Sequence, residues 1–386
     1  MKTKTIIYGG IGRHNFGDLL FPHIISFLLN NNSPSLDIKY CDVLSSDMSK
    51  YGGHNVESIG KFLTDKSNLN VIVAGGEVGG CSMKFAKQMF AENDNLNTEE
   101  LNNFYNAKIR VNSRHQLAYL LSKTNFKNPK MFVANSIGGC DGKTINVCSQ
   151  YDYVGFREKN SYLTAKCGGI KNAFHVPDCA VLTKKLFHKI ISDRKSEDEI
   201  KTLKNNIGNN YIAIQLNQNV LKNKKIINNY ATQLNSIISV TNLPIVFFCA
   251  GCAWGHDSKQ TSFDKLSDNL PTGMSYFFNG LNIWDICNLI SNAKCVISTS
   301  LHVRILSTIY ARPRFSVLKG NKHLEFIENW DCNKNSNIEL SDIAKQVTLS
   351  LAEHDIEADT KNCKMLENTY LKNSQSWIDK IMEMEQ

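Results

Sequence analysis

Residues 294–305 hold the combination of residue types with the clearest chemical potential in this sequence. The segment reads as a short buried strand that passes directly into an apolar helix, with Ser298 and Ser300 at the junction and His302 in the first helical turn. A helix start presents unpaired N–H groups and the positive end of the helix dipole. Together with His302 and Arg304, it predicts a place where an anion is bound and a proton is moved. The alternative is a histidine that packs in the core.

A glycine-rich segment at residues 9–18 follows the first predicted strand and ends with Asn15, Gly17 and Asp18. Ligands of open α/β sheets bind beyond the carboxyl ends of the strands, so this segment is predicted to contact a ligand. It lacks both the G-x-G-x-x-G spacing of a dinucleotide site and the Lys-Ser/Thr pair of a P-loop. The alternative is a simple helix cap in which Asp18 favours the positive helix end.

A second glycine-rich turn, at residues 73–80, places Gly76 and Glu77 just after another predicted strand. A carboxylate in such a turn is able to accept hydrogen bonds from sugar hydroxyls or to act as a base. The alternative is a flexible turn with an incidental acid.

Three further segments carry candidate side chains. Arg157 lies between a strand end and a helix start, where its planar fork suits a carboxylate or phosphate; a structural ion pair with Glu158 or Asp178 is the alternative. His256, beside Asp257, is a candidate for acceptor contact or proton transfer, although such loop residues are usually polar surface. Lys322 belongs to a cationic run after the last predicted strand.

These segments require elements that bring strand ends together. Apolar β-branched runs alternate with amphipathic helical stretches, which predicts parallel sheets with helical crossovers. The first series of predicted strands covers 4–8, 37–41, 70–74, 130–134 and 151–155, and the second covers 211–215, 244–248, 275–278, 295–298 and 315–318. We therefore predict an α/β protein with Rossmann-like domains at 1–190 and 205–330, followed by a helical tail at 331–386 that packs on them.

Local signals also predict helix ends. Asn282 is a predicted N-cap before an apolar helical face. Asn160 is a predicted N-cap for a helix that closes at Gly168 and Gly169.

Composition excludes several classes of protein. The net charge of +8 comes mainly from dispersed lysines without interleaved aromatic residues, which argues against nucleic-acid binding. The twelve cysteines are scattered, often in apolar runs, and predict buried free thiols rather than disulfides or a zinc site. No apolar run is long enough for a transmembrane helix or a signal-peptide core, so we expect a cytoplasmic protein.

Taken together, the motifs resemble those of the polysaccharide pyruvyl transferase family. The matching pieces, in order along the chain, are Asn15-x-Gly17-Asp18, Ala74-Gly75-Gly76, Arg157-Glu158-x-x-Ser161, Val176-Pro177-Asp178 and Ser298-x-Ser300-Leu301-His302. Many members carry an arginine directly before the Leu-His pair, where this chain has Ser300. Arg304, four residues later on the same helix face, is a candidate to supply the missing guanidinium.

The resemblance implies a GT-B-like pair of Rossmann domains with the active site in the cleft between them. It also implies phosphoenolpyruvate as donor, with a sugar or lipid-linked oligosaccharide as acceptor. His302 and Arg157 would be catalytic; Ser298, Ser300, Arg304 and Lys322 would bind the donor. The acceptor would contact Asn15, Gly17, Asp18, Gly76, Glu77 and His256. No metal or cofactor is expected, because the reaction needs only an acid, a base and cations.

Two other functions fit the same sequence. A GT-B glycosyltransferase with a nucleotide-sugar donor would also use a helix N-terminus and basic residues. A non-catalytic polysaccharide-assembly protein would not need His302. A lipid-linked acceptor would further predict peripheral association with the inner face of the membrane.

Overall fold

The computed structural model describes residues 3–33, 36–91, 99, 102, 117–253, 257, 260–317, 320–334 and 338–384. The chain divides into two compact units: unit 1 contains residues 1–182 and 367–386, and unit 2 contains residues 183–366. The first division falls slightly before the predicted end at residue 190. The second falls inside the predicted tail, so that tail contributes to both units.

Unit 1 is built on an eight-stranded sheet with the order β3-β4-β2-β1-β5-β6-β7-β8. The neighbouring strands pair in parallel except for the β3–β4 pair. The central strands are buried on both faces, as a parallel sheet covered by helices requires. The strands are β1 (Lys4–Tyr8), β2 (Asp37–Asp42), β3 (Ser46–Asp47), β4 (Asn55–Ser58), β5 (Asn68–Val73), β6 (Asn128–Ile137), β7 (Tyr153–Phe156) and β8 (Ala173–His175).

The helices of unit 1 connect these strands. They are α1 (Phe16–Asn32), α2 (Met83–Ala91), α3 (Gly142–Cys148) and α4 (Lys159–Cys167). Single 3-10 turns lie at Ser49–Tyr51, Ile59–Phe62, Lys123–Asn125 and Cys179–Leu182. The most deeply placed helix is α1, because most of its side chains are buried.

Unit 2 is built on a five-stranded parallel sheet with the order β11-β10-β9-β12-β13. Its strands are β9 (Ile212–Gln215), β10 (Ile245–Phe248), β11 (Ser275–Phe278), β12 (Cys295–Ser298) and β13 (Arg314–Ser316). The helices are α5 (Thr183–Asp193), α6 (Asp198–Ile207), α7 (Lys224–Thr241), α8 (Gln260–Ser267), α9 (Ile283–Asn292), α10 (Leu301–Ile309), α11 (Asn321–Trp330) and α12 (Ile343–Glu353). Its 3-10 turns lie at Arg194–Ser196, Val220–Lys222 and Leu340–Asp342.

The described part of the tail is mostly helical. Its last helix, α13 (Ile356–Glu383), begins in unit 2 and ends in unit 1. In unit 1, the Tyr370 hydroxyl donates to Asn135 Oδ1 at 2.7 Å, so the helix end joins the buried interior next to β6.

All ten predicted strands are present, and the parallel arrangement is confirmed. Three short strands, β3, β4 and β8, were not predicted, because two to four residues carry too little periodic signal. Asn282 caps α9 through a 3.0 Å bond from the Trp284 N–H, as predicted.

The predicted cap of α4 is wrong by two residues. The helix starts after Glu158 and not after Asn160. The Glu158 carboxylate accepts from the Gly139 N–H at 3.0 Å and from the Ser161 hydroxyl at 2.8 Å. These bonds fix the chain direction at this point, and Asn160 lies within the first turn.

The cysteines follow the prediction. All twelve lie within the described residues, none of them forms a disulfide, and eight are buried.

Candidate functional site

The start of α10 combines a capped helix end with a histidine. Strand β12 ends at Ser298, and Ser300 caps α10 by accepting a 3.5 Å bond from the Val303 N–H. A serine at this position satisfies one of the N–H groups that lack a helical partner. His302 is half-buried in the first turn. The histidine therefore stands at the positive end of the helix, as the sequence predicted.

This helix start lies at the topological switch point of unit 2. Strand β9 lies between β10 and β12 in the sheet. The chain first adds β10 and β11 on one side of β9 and then adds β12 and β13 on the other side, so the direction of strand addition reverses between β9 and β12. Open α/β sheets bind ligands at the carboxyl ends of the strands at such a point. The Asn217 N–H, beyond the end of β9, donates to Thr299 Oγ1 at 2.7 Å, which joins the two strand ends.

Arg304, predicted to bind the donor, is buried and bonded to other side chains of unit 2. Its side chain is 1% exposed, and NH2 donates to Asp331 Oδ2 at 2.6 Å while NH1 donates to Ser316 Oγ at 3.0 Å. Burial lowers its pKa from the ordinary arginine value, and Asp331 opposes that shift. Arg304 lies four residues after Ser300 on α10, and its side chain bonds to the buried carboxylate of Asp331. We therefore give it a structural role.

The other predicted donor residues have distinct surroundings. Ser298 is buried, and its hydroxyl donates to the Ser300 carbonyl at 3.2 Å, which tightens the turn before the helix. Lys322 is half-buried in the first turn of α11. Its neighbour His323 was not predicted, yet its ring is buried and lies 3.1 Å from the Thr299 carbonyl.

The loop after β10 contains the predicted His256, which lies outside the described residues. Asp257 is described and holds the loop: its Oδ2 accepts from the Ala250 and Gly251 N–H groups at 2.5 and 3.1 Å. Its Oδ1 accepts from Gln215 Nε2 at 2.6 Å. Burial raises the pKa of Asp257 to about 7, against these hydrogen bonds, which favour the carboxylate.

In unit 1 the first glycine segment also lies at a switch point, between β1 and β5. Asn15 caps α1 by accepting from the Gly17 N–H at 3.2 Å, which is the capping role considered as the alternative. Asp18 is buried in the first turn and pairs with Arg13 at 3.2 Å.

The second glycine segment lies against the first. Gly76 has a φ of +83°, and a Cβ on it would lie 3.0 Å from Asp18 Oδ1. Glycine is therefore required both by the backbone conformation and by the nearby carboxylate. The structure thus brings together Asn15, Gly17, Asp18 and Gly76, whereas Glu77 next to them is exposed.

Arg157 lies at the end of β7 and is 5% exposed. Its NH1 donates to Asp178 Oδ2 at 2.8 Å, and its Nε lies 3.9 Å from Glu158 Oε1. Burial alone would lower its pKa, but Asp178 and Glu158 raise it above the ordinary arginine value. The ion pair considered as the alternative is therefore formed.

Three supporting residues were missed at the sequence level. Asp42, the last residue of β2, accepts from the Gly12 N–H at 2.7 Å and so holds the first glycine segment. Gln215 ends β9, and Arg13 lies within the glycine segment itself. A polar residue at or directly after the last position of a predicted strand was the available signal for Asp42 and Gln215.

Among the described residues, Asp331, Cys332 and Asp359 form a group with ligand atoms within 4.8 Å of one another. Arg314 donates to both carboxylates, and Arg304 donates to Asp331. Two guanidinium groups already neutralise this cluster, so a cation is not favoured there. We assign no metal to it.

Comparisons with solved structures identify the fold. UDP-N-acetylglucosamine 2-epimerase from Rickettsia bellii is similar over 99% of this chain and 98% of its own, with a TM-score of 0.55 and 14% identity. The Neisseria meningitidis UDP-GlcNAc 2-epimerase, solved bound to UDP-GlcNAc, gives 0.56 at 10% identity, covering 99% of this chain and 100% of its own. The Methanocaldococcus jannaschii enzyme gives 0.55 at 11% identity, covering 95% and 99%. At these identities the likeness shows the α/β, GT-B-like fold with two parallel-sheet domains.

Sequence comparisons identify the family. No curated protein matches this sequence. Within the described part of the chain, none of the helices has the length and apolarity needed to cross a bilayer. The family model for polysaccharide pyruvyl transferase matches residues 15–318, a span that begins at Asn15 and includes His302. The chain therefore belongs to the polysaccharide pyruvyl transferase family and is a transferase.

Proposed function

We propose that this enzyme transfers the pyruvyl group of phosphoenolpyruvate to two hydroxyls of a sugar and forms a pyruvate ketal during cell-surface polysaccharide synthesis. The single observation that carries the proposal is the placement of His302 within the family match. The histidine lies in the first turn of α10, beyond the carboxyl end of β12. That position joins a proton-transfer group to a helix end that favours anions.

The chemistry follows from the donor. Protonation of the methylene carbon of phosphoenolpyruvate forms the methyl group and leaves an oxocarbenium-like centre at the neighbouring carbon. A sugar hydroxyl attacks that carbon and releases its proton, the C–O bond to phosphate breaks, and a second hydroxyl then closes the ketal. One hydroxyl proton balances the proton added to the methylene carbon, and the other leaves with phosphate. Protein groups must move protons and stabilise the donor carboxylate and phosphate.

His302 is proposed as the acid and base. The α10 N-terminus, with Ser298 and Ser300 shaping its turn, is proposed to hold a donor anion, and Lys322 adds positive charge in the same unit. Arg304 is left out because its guanidinium is committed to Asp331.

For the acceptor we propose the first glycine segment of unit 1. Asp18 and Gly76 lie together at the β1–β5 switch point, and the exposed Glu77 follows directly. Carboxylates at the carboxyl ends of strands are suited to sugar hydroxyls. A lipid-linked sugar is the proposed form of the acceptor, and His256 stays a predicted contact.

The test is incubation with phosphoenolpyruvate and a panel of galactosyl, mannosyl and N-acetylhexosaminyl lipid intermediates, with phosphate release and product mass as readouts. Phosphate release should require an acceptor, and the acceptor should gain the mass of a pyruvate ketal. In His302→Ala the rate should fall about 100-fold or more, the scale of a lost general acid. His188→Ala, which removes an exposed histidine on α5, is the matched control and should retain activity.

Two outcomes contradict the proposal. Turnover only with a nucleotide sugar would replace the reaction by glycosyl transfer. Full phosphoenolpyruvate turnover in His302→Ala would keep the reaction and remove His302 from it.

A further inference from the structure

The peptide between β12 and α10 is held from both sides. The Thr299 N–H donates to Gln215 Oε1 at 3.1 Å and to the Gln215 carbonyl at 3.2 Å. The Thr299 carbonyl lies 3.1 Å from His323 Nε2. Because Ser300 follows as the N-cap, these contacts hold the two peptide groups on either side of the Thr299 Cα, just before the helix that carries His302.

The donors on the His323 side fix the direction of each hydrogen bond. Arg304 is only able to donate, so its NH1 gives a proton to Ser316 Oγ, which lies 3.2 Å from His323 Nδ1. A neutral imidazole carries one N–H, which the Thr299 carbonyl requires on Nε2, so Nδ1 accepts and the Ser316 hydroxyl donates to it. A carbonyl only accepts, so His323 Nε2 carries the proton that is given to Thr299.

All three residues in this series of hydrogen bonds are buried, with exposed fractions of 1% for Arg304, 0% for Ser316 and 1% for His323. Asp331 anchors the far end through its 2.6 Å bond from Arg304. A buried and fully directed chain of this kind favours one histidine tautomer and one ring orientation.

The Gln215 side is directed in the same way. Its amide oxygen accepts from Thr299, so its amide nitrogen donates to Asp257 Oδ1 at 2.6 Å. The hydrogen bonds therefore continue from Asp331 through His323, Thr299 and Gln215 to the loop after β10.

We propose that His323, as the neutral Nε2–H tautomer, is a positioning residue that fixes the first turn of α10 and thereby the direction of His302. The proposal rests on the proposed function for its catalytic consequence only. Its structural content concerns unit 2 and is testable without turnover. It also gives Arg304 a purpose, since that side chain orients His323 through Ser316.

The test compares two substitutions that keep different halves of the imidazole. Glutamine places its amide nitrogen near the former Nε2 and is able to donate to the Thr299 carbonyl. Asparagine reaches only the former Nδ1. His323→Gln should therefore retain the hydrogen bond to the Thr299 carbonyl, and His323→Asn should lose it.

The first readout is amide hydrogen exchange. In His323→Asn, exchange at residues 299–304 should accelerate about 10-fold or more, while β9 and β10 keep wild-type protection. His323→Gln should stay near wild type at all of these amides. Equal behaviour of the two variants at residues 299–304 would overturn the proposal.

The second readout is the split between kcat and KM. In His323→Asn, kcat should fall about 10–100-fold, the cost of a misdirected catalytic group, with KM for phosphoenolpyruvate changed by less than about 3-fold. His323→Gln should restore kcat to within about 3-fold of wild type. A fall in both variants, or in KM alone, would contradict a positioning role.

Two controls keep the result interpretable. If wild type shows no phosphoenolpyruvate turnover, the proposed function fails, and the exchange comparison still decides the proposal for His323. If His323→Asn does not fold, Ser316→Ala, which deletes one buried hydroxyl, replaces it. Faster exchange at residues 299–304 is then expected, and unchanged exchange would overturn the proposal.

Discussion

At the scale of single residues, Arg304 and Arg157 were predicted to act with His302, but they differ from it in burial and pairing. His302 remains half-buried at a helix start, as a proton-transfer group requires. Arg304 and Arg157 are almost completely buried and bonded to Asp331 and Asp178. A buried guanidinium paired in this way stabilises the fold whether or not it also binds a substrate. Its substitution therefore affects fold stability and any substrate binding together.

Arg157→Ala is expected to lower activity and also to destabilise unit 1 by about 3–5 kcal/mol, because Asp178 would be left buried without a cation. Arg157→Ala/Asp178→Asn removes that uncompensated charge and should recover most of the stability. Urea unfolding and phosphoenolpyruvate turnover measure the two effects. If the double variant is stable and fully active, Arg157 is structural only.

At the scale of elements, both sheets carry their candidate residues on loops at a switch point. In unit 1 the loop after β1 is held by Asp42 and by the Ser46 hydroxyl, which donates to the Gly12 carbonyl at 2.8 Å. In unit 2 the loop after β12 is held by Gln215 and His323. In both units, buried or half-buried polar groups outside the candidate site fix the backbone that presents it.

Gly76→Ala is expected to lower the free energy of unfolding by more than the strain of a left-handed backbone alone, which is about 1–3 kcal/mol. The added Cβ would press on Asp18 at 3.0 Å and move the carboxylate. Gly273→Ala is the matched control, because Gly273 has a φ of +76° and open space around its Cβ position. Thermal unfolding and acceptor KM should both be worse for Gly76→Ala, and equal effects of the two substitutions would refute the contact with Asp18.

Asp42→Asn is expected to change how stability depends on pH. Burial raises the pKa of Asp42 from 3.8 to about 7, although the Gly12 and Val43 N–H groups and Arg13 favour the carboxylate. Between about pH 4 and 7, the Asp42 carboxyl group is therefore protonated in the folded state and ionised in the unfolded state. This contribution to stability is fully present below the unfolded pKa and is lost as pH rises through 7.

Relative to Asp42→Asn, the wild type should therefore gain about 1–3 kcal/mol of unfolding free energy between pH 8 and pH 5. Urea unfolding at the two pH values measures it. Asp264→Asn, which removes an exposed carboxylate on α8, should show no such gain. A difference between wild type and Asp42→Asn that does not vary with pH would contradict the raised pKa.

At the scale of the whole molecule, two compact units each have their own sheet and core. Unit 2 also contains a buried ion cluster in which Arg314 joins Asp331 to Asp359, the latter on α13. The last helix is thus tied to β13 by charge. The predicted cleft between the domains, the cytoplasmic location and the peripheral membrane association stay predictions.

Arg314→Met is expected to destabilise unit 2 by about 3–5 kcal/mol at pH 7, since two buried carboxylates would lose their shared cation. Burial alone would raise the pKa of Asp331 and Asp359, but Arg314 and their other partners lower both values. Their contribution is therefore present above about pH 4 and is lost as pH falls through the lowered pKa values.

Urea unfolding followed by tryptophan fluorescence measures the free energy of unfolding. The difference in this free energy between wild type and Arg314→Met should become smaller below pH 4. Lys123→Met is the control, because Lys123 pairs with Asp152 at 2.7 Å, close to the 2.6 Å of the Arg314–Asp359 pair, but at a partly exposed site. That variant should cost about 1 kcal/mol or less. Similar losses in both variants would contradict the importance of burial.

The sequence by itself determined the strands, their parallel arrangement and the position of His302 at a helix start. These features depend on neighbouring residues: β12 is a buried run of four residues, and Ser300 caps a helix within three residues of itself. The same local logic correctly placed Asn282 and failed at Asn160, where a longer-range bond from Gly139 to Glu158 decided the helix start.

Only the tertiary structure decided where the long charged side chains point. The Arg304 side chain points to Asp331, which is 27 residues away in sequence. His323 likewise acquired its importance from Thr299, 24 residues away. Sequence patterns specify which face of an element is buried, whereas the partner of a buried polar group depends on which distant elements pack against it, because such a group is stable only when bonded.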